Sequence, residues 1–158
     1  MVTPFNEDLS IDIKAVKKIL DTFLKTNISP FILGTTGEYV SVTDKQKTEL
    51  VKSVVKHVNK RITVYAGISE NCLQYTVDKA RIYYDIGVDT VVAHLPYYYP
   101  ISSDQMIRYY EKLADSIPCP LFLYNNPFTT KISVPLEIID QLSYHSNIIG
   151  IKDSERGM

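Results

Sequence analysis

The sequence holds no tryptophan, two cysteines and six glycines in 158 residues, and several motifs are missing altogether. There is no CxxC and no HExxH, and His57, His94 and His145 lie far apart, so no zinc ligand set is expected. No basic block or arginine-rich patch breaks a net charge of -1, which argues against a nucleic-acid partner. The longest apolar runs fall well short of a bilayer span, and the start "MVTPFNEDLS" lacks the basic and apolar regions of a signal peptide. The expectation is a cytoplasmic protein with no membrane association, and Cys72 and Cys119, in unrelated contexts, suit a reducing compartment. A GxGxxG turn after the first strand is also absent, so nothing points to a dinucleotide site. What is abundant is tyrosine, twelve against five phenylalanines.

The remainder alternates between two kinds of segment. Short runs rich in β-branched and aromatic residues fall at 30–33 "PFIL", 62–66 "ITVYA", 90–93 "TVVA", 120–124 "PLFLY" and 148–151 "IIGI". They are apolar on both parities, as strands buried on both faces of a parallel sheet are. Between them lie amphipathic stretches at 11–24, 43–58, 73–86, 102–116 and 135–143. The second opens on "TDKQ", a capping box; the third ends at Gly87, a C-cap position; the last carries Pro135 in its first turn. Counting "MVTPF" as a strand cut short, strand and helix alternate five times and a sixth strand follows. Alternation of this kind with a repeat of about thirty residues predicts an α/β fold with a parallel sheet. An open doubly wound sheet and part of an eight-stranded barrel both fit the pattern.

Loops after the C-terminal ends of parallel strands share one face, where chemistry is done. That rim receives Gly34-Thr35-Thr36-Gly37-Glu38, then Leu95-Pro96-Tyr97-Tyr98-Tyr99-Pro100, then Tyr124-Asn125-Asn126-Pro127, and finally Lys152. Each has a plain structural alternative. "GTTGE" serves equally as a tight connection or as an anion nest. Tyr97 and Tyr99 read as packing or interface residues, Tyr124 as a core tyrosine, His94 as a packed or hydrogen-bonded histidine, and Lys152 as a solvated strand-end residue.

Taken together, "GTTGE", "PYY", "YNxP" and "GIK", in this order, resemble the dihydrodipicolinate synthase and N-acetylneuraminate lyase family of Schiff-base-forming class I aldolases. The resemblance runs over the whole chain. It implies a (β/α)₈ TIM barrel, present here to about strand six as a single partial domain, 1–158, without the last two βα units and C-terminal helices. It further implies that a lysine amine attacks the keto group of pyruvate or another 2-oxo acid, loses water and leaves an iminium ion as electron sink. Lysine suits this because desolvation yields neutral amine near neutral pH. By the resemblance, Lys152 is the Schiff-base residue and Tyr124 the proton-transfer phenol. Thr36, with Gly34 and Gly37 around it, forms the carboxylate cradle. Thr35 links Tyr124 to a tyrosine reaching across a dimer interface, here Tyr98. No metal or organic cofactor is expected, and the assembly is a homodimer or homotetramer.

Two departures bear on function. Synthases of the family carry an arginine two residues past the "YNxP" proline and a glycine two residues later, where this chain has Thr129 and Lys131. A hydroxyl cannot replace a bidentate guanidinium clamp on a carboxylate, which favours a neutral, hydroxylated aldehyde over aspartate semialdehyde. The chain is also shorter than the roughly 250 residues of a full barrel, so it is expected to be a fragment or to have its gap filled by another chain. Three readings follow: a 2-keto-3-deoxy sugar acid aldolase-like lyase, a 4-hydroxy-tetrahydrodipicolinate synthase joining pyruvate to aspartate semialdehyde, and a non-catalytic 2-oxo acid binder.

Overall fold

The computed structural model describes residues 1–155. These fall into two compact units, Met1–Gly67 with Ile82–Thr90, and Ile68–Arg81 with the residues from Val91 onward.

In the first unit, helix α1 (Ile13–Lys25) starts later than the apolar period suggests. The Asp12 carboxylate accepts the backbone N–H groups of Lys14 and Ala15 at 2.9 and 3.0 Å, and this N-cap sets the boundary. Helix α2 (Asp44–Val58) has both bonds of the expected box, Thr43 capping the N–H of Gln46 and the Gln46 side chain returning to the N–H of Thr43. The two helices pack together, burying Val16 and Leu20 of one and Leu50, Val51, Val54 and Val58 of the other. His57 and Asp21 join them at 2.7 Å. Strands β1 (Phe31–Ile32) and β2 (Tyr65–Gly67) pair in parallel, Phe31 opposite Tyr65. β2 begins later than the sequence suggests: the N–H of Val64 is taken by the Asp89 carboxylate at 2.8 Å, and Lys60 donates to the same carboxylate at 2.8 Å.

Residues 1–5 do not form the strand expected of "MVTPF". Phe5 makes one isolated antiparallel bridge to Ile11. A reversal at 6–10 brings that pair together: Asn6 N–H donates to the Ser10 carbonyl, Leu9 N–H to the Asn6 carbonyl, and Leu9 adopts φ 64°. Before that reversal the segment touches β1 at its start, where the Met1 ammonium donates to the Phe31 carbonyl at 2.7 Å.

In the second unit, β3 (Thr90–Ala93), β4 (Leu121–Asn125) and β5 (Ile148–Asp153) run parallel in chain order. All four β3 residues are buried, as a strand covered on both faces requires. Helix α3 (Leu73–Ile86) is shared by the two units, the second holding it to Arg81 and the first from Ile82, and it ends at Gly87, whose φ of 110° suits glycine and few other residues. Helix α4 (Ser103–Ser116) has its own capping box, from Ser102 to Gln105. A short α5 (Pro127–Thr130) precedes α6 (Leu136–Ser143), where Pro135 is the N-cap and not the first helical residue. α4 packs on α6, and α6 on β5. Tyr110 is fully buried and donates its hydroxyl to the Ala93 carbonyl at 3.3 Å; burial holds its phenol well above the usual tyrosine range. Cys72 is exposed and Cys119 buried, both as free thiols.

Candidate functional site

The expected site residues divide between the two units. Gly34, Thr35, Thr36 and Gly37 belong to the first, Tyr98, Tyr124 and Lys152 to the second.

β1 stops because Leu33 turns to φ 55°, and the chain enters a single turn of 3-10 helix, Thr35–Gly37. Gly34 supplies its N-cap, and the Gly34 carbonyl accepts the N–H of Gly37 at 2.9 Å. The Gly37 carbonyl accepts the Thr3 hydroxyl at 2.7 Å, so the turn is fastened from outside as well. Thr35 is half-buried and Thr36 exposed. Gly67 at the end of β2 is required by this turn: a Cβ there would stand 2.1 Å from the Leu33 carbonyl oxygen.

In the second unit, the β4–β5 register decides what faces Tyr124. Leu121 pairs with Ile148 but Phe122 pairs with Gly150, so β5 carries a bulge at Ile149. Since a one-residue slip sends every later side chain to the opposite face, this bulge sets Lys152 directly across from Tyr124. Gly150 permits it by lying where a Cβ would meet the Phe122 ring at 2.7 Å. The Lys152 Nζ stands 3.8 Å from the Tyr124 ring centroid, a cation–π distance. It also donates to the Ser154 hydroxyl at 2.7 Å. Lys152 is half-buried and Tyr124 only 6% exposed. The Tyr124 hydroxyl accepts the Asn126 side-chain amide at 3.1 Å.

His94 closes the other side of Tyr124, with ring centroids 6.3 Å apart, and meets Tyr97 edge-on at 5.8 Å. Its Nδ1–H donates to the Leu95 carbonyl at 2.7 Å, and desolvation by burial holds its pKa below the usual histidine value. His94 is thus the packed, hydrogen-bonded residue expected of it. Tyr98 is 73% exposed and Tyr99 equally so, their rings edge-to-face at 4.9 Å. An open cleft of about 410 Å³ runs past Tyr97, Tyr98 and Tyr99 to Thr130, Lys131 and Ser133. At the departures from the family pattern, the Thr129 hydroxyl bonds back to the Asn126 carbonyl at 3.2 Å. Lys131 folds onto Phe128, its Nζ 2.8 Å from the carbonyl oxygen and 5.4 Å from the ring centroid.

Two asparagines matter that sequence reasoning did not single out. Asn71 accepts the backbone N–H groups of Tyr97 and Tyr98 at 2.9 and 3.2 Å, fixing the base of the tyrosine loop. Asn125 bonds through its side chain to Val134, Asp153 and Glu155. Neither lies on a periodic face. Among the described residues, no three His, Cys, Asp or Glu side chains gather to hold a metal ion, and no helix is long and apolar enough to cross a membrane.

Known proteins give this geometry a context. The model of the dihydrodipicolinate synthetase family matches residues 1–158. A 4-hydroxy-tetrahydrodipicolinate synthase of Ligilactobacillus salivarius is 34% identical over 155 residues, 97% of this chain and 53% of that protein. The crystal structure of a dihydrodipicolinate synthase from Bacillus anthracis is 32% identical, with a TM-score of 0.92 over 98% of this chain and 53% of that one. A prophage protein of the dihydrodipicolinic acid synthase family from E. coli K12, solved in complex with pyruvate, is 29% identical, with a TM-score of 0.94 over 99% and 53%. The chain therefore spans about half the length of the relatives it matches, and its fold is part of a (β/α)₈ barrel. By the extent of that match, the chain belongs to the dihydrodipicolinate synthetase family.

Proposed function

We propose that the chain carries the Schiff-base lysine of a cytoplasmic class I aldolase, Lys152, which condenses with pyruvate or another 2-oxo acid. The observation that carries this reading is the placement of Lys152 opposite Tyr124, with the amine 3.8 Å from the ring centroid. The neutral amine adds to the keto carbon, and the carbinolamine loses water to an iminium ion. In the cleavage direction, a proton leaves the substrate hydroxyl, the adjacent carbon–carbon bond breaks, and its electron pair passes into the iminium to give an enamine and a free aldehyde. Protonation of the enamine and hydrolysis return pyruvate and the lysine. Tyr124 carries protons in these steps, as a phenol can both donate and accept. Thr36, with Gly34 and Gly37, receives the 2-oxo acid carboxylate. Thr35 relays between Tyr124 and a tyrosine of a second copy, and the exposure of Tyr98 suits that role in a homodimer or homotetramer. The lysine is itself the electron sink, so the reaction needs no metal or organic cofactor.

For the second substrate, Thr129 bonded to its own helix and Lys131 folded onto Phe128 favour a neutral hydroxylated aldehyde, as from a 2-keto-3-deoxy sugar acid. The alternative, condensation with aspartate semialdehyde, is supported by the activity named for the similar Ligilactobacillus protein. A non-catalytic 2-oxo acid binder is the third reading. Incubation with pyruvate and borohydride followed by peptide mass spectrometry tests the common step: the adduct is expected on Lys152 and absent from Lys152→Ala. An adduct elsewhere, or none, refutes the assignment. Turnover with glyceraldehyde, N-acetylmannosamine and aspartate semialdehyde then separates the aldehydes, and an adduct with no turnover of any leaves the binder.

A further inference from the structure

Asn125 ends β4, and its main chain pairs with Asp153, the residue after Lys152. It is 2% exposed, and three of the four hydrogen-bonding functions of its side chain are used, both amide N–H groups among them. Oδ1 accepts the N–H of Val134 at 3.2 Å; Nδ2 donates to the Asp153 carboxylate at 3.1 Å and to the Glu155 carboxylate at 2.9 Å. Its main-chain carbonyl accepts the N–H of Ser154 at 2.8 Å. The far ends of this clasp are tied in turn: Glu155 also accepts the Ser133 hydroxyl at 2.6 Å, and Asp153 accepts the N–H of Glu155 at 2.8 Å. One buried amide thus joins the end of β4, the segment before α6 and the turn at 153–155.

That turn is where the lysine is held. Among the described strands β5 pairs with β4 alone, and Ile149 is 51% exposed, so these bonds to β4 govern where the end of β5 lies. The Lys152 Nζ rests on the Ser154 hydroxyl, and the Ser154 main chain rests on Asn125. That connection runs through the Asn125 main chain, and the Asn125 side chain holds the same turn through the Asp153 and Glu155 carboxylates. Strand ends fray, and a lysine has four side-chain rotors to order; a clasp one residue beyond it removes the first of these freedoms. We propose that Asn125 is a positioning residue for Lys152, acting through the 153–155 turn and Ser154. This rests on the reading of Lys152 as the Schiff-base residue.

A buried asparagine whose N–H groups and carbonyl are all bonded also stabilises the fold, so the test needs a readout that stability alone does not move. The rate of borohydride trapping of pyruvate on Lys152 is measured per folded molecule, at saturating and limiting pyruvate across pH, for the parent chain, Asn125→Ala, Asn125→Asp and Glu155→Gln. Asn125→Asp sets a carboxylate against Asp153 and Glu155, whereas Glu155→Gln keeps an acceptor for Nδ2. Expected is a fall in the saturating rate of about 10- to 100-fold for the Asn125 variants, the range for a displacement near 1 Å. The half-saturating pyruvate concentration is expected to change less, and Glu155→Gln to remain within a few-fold of the parent. Parental rates in folded Asn125 variants overturn this proposal alone. Absence of an adduct on the parent removes the Schiff-base reading and this proposal with it. Should both Asn125 variants fail to fold, Glu155→Ala removes an exposed end of the same clasp: a several-fold slower rate supports the role, and a parental rate overturns it.

Discussion

Replacing Gly67 by alanine is expected to reach the Thr35–Thr36 turn from the neighbouring strand. The added Cβ would stand 2.1 Å from the Leu33 carbonyl oxygen and 2.9 Å from its carbon. An ordinary carbon–oxygen contact is about 3.3 Å, so the two backbones must separate by about 1 Å. Neither side can yield by rotating a side chain, because the obstacle is main chain. Overpacking of this kind costs about 1–3 kcal/mol, and with both partners directly following the Ile32–Ala66 pair that joins β1 to β2 the expectation is the upper part, about 2–3 kcal/mol. At about 2–4 °C per kcal/mol for a chain of this size, Tm falls by about 4–12 °C. Leu33 leads directly into Gly34, so the same displacement moves the turn, and if that turn cradles the 2-oxo acid, trapping of pyruvate slows by up to about 100-fold. Thermal unfolding by circular dichroism and the borohydride assay read the two consequences separately. A variant whose Tm lies within about 1 °C of the parent, with parental trapping, would refute the steric argument. A lowered Tm with parental trapping would refute the cradle.

Two further outcomes follow from residues around the tyrosine loop. Burial lowers the His94 pKa from 6.5, so below that value the unfolded chain binds a proton the folded chain refuses. Stability is therefore complete above pH 6.5 and declines as pH falls toward the folded pKa, with a slope of at most about 1.4 kcal/mol per pH unit for one proton. Urea denaturation of the parent and His94→Gln across this range checks it, and equal pH slopes in the two would contradict it. Asn71→Ala removes the acceptor shared by the Tyr97 and Tyr98 N–H groups, at a cost of about 1 kcal/mol. Hydrogen exchange at those two amides should quicken about fivefold by that energy; unchanged protection would mean the bonds do not hold the loop.

Periodicity and motif order carried the sequence reading as far as local rules apply. β3 and α3 lie where their patterns place them, and the Thr43–Gln46 box forms both its bonds, because each depends on residues within one turn or one pleat. The strand expected at "MVTPF" is not formed, and the reversal that follows at 6–10 needs Leu9 in a left-handed conformation, which composition does not signal. The pairing of Lys152 with Tyr124 shows both sides of this. Their motifs announced neighbouring strand ends, yet direct opposition depends on the Ile149 bulge, and a bulge leaves no apolar period of its own. Within the "YNxP" motif Asn125 reads only as a neighbour of the tyrosine. Its partners are Val134, Asp153 and Glu155, up to thirty residues away in sequence, and polar contacts between loop ends follow no repeat. Candidate catalytic residues can be picked out in a sequence because a reaction type restricts side-chain type. Those that hold them in place are free to be any group with the right donors, and only coordinates reveal which donors meet.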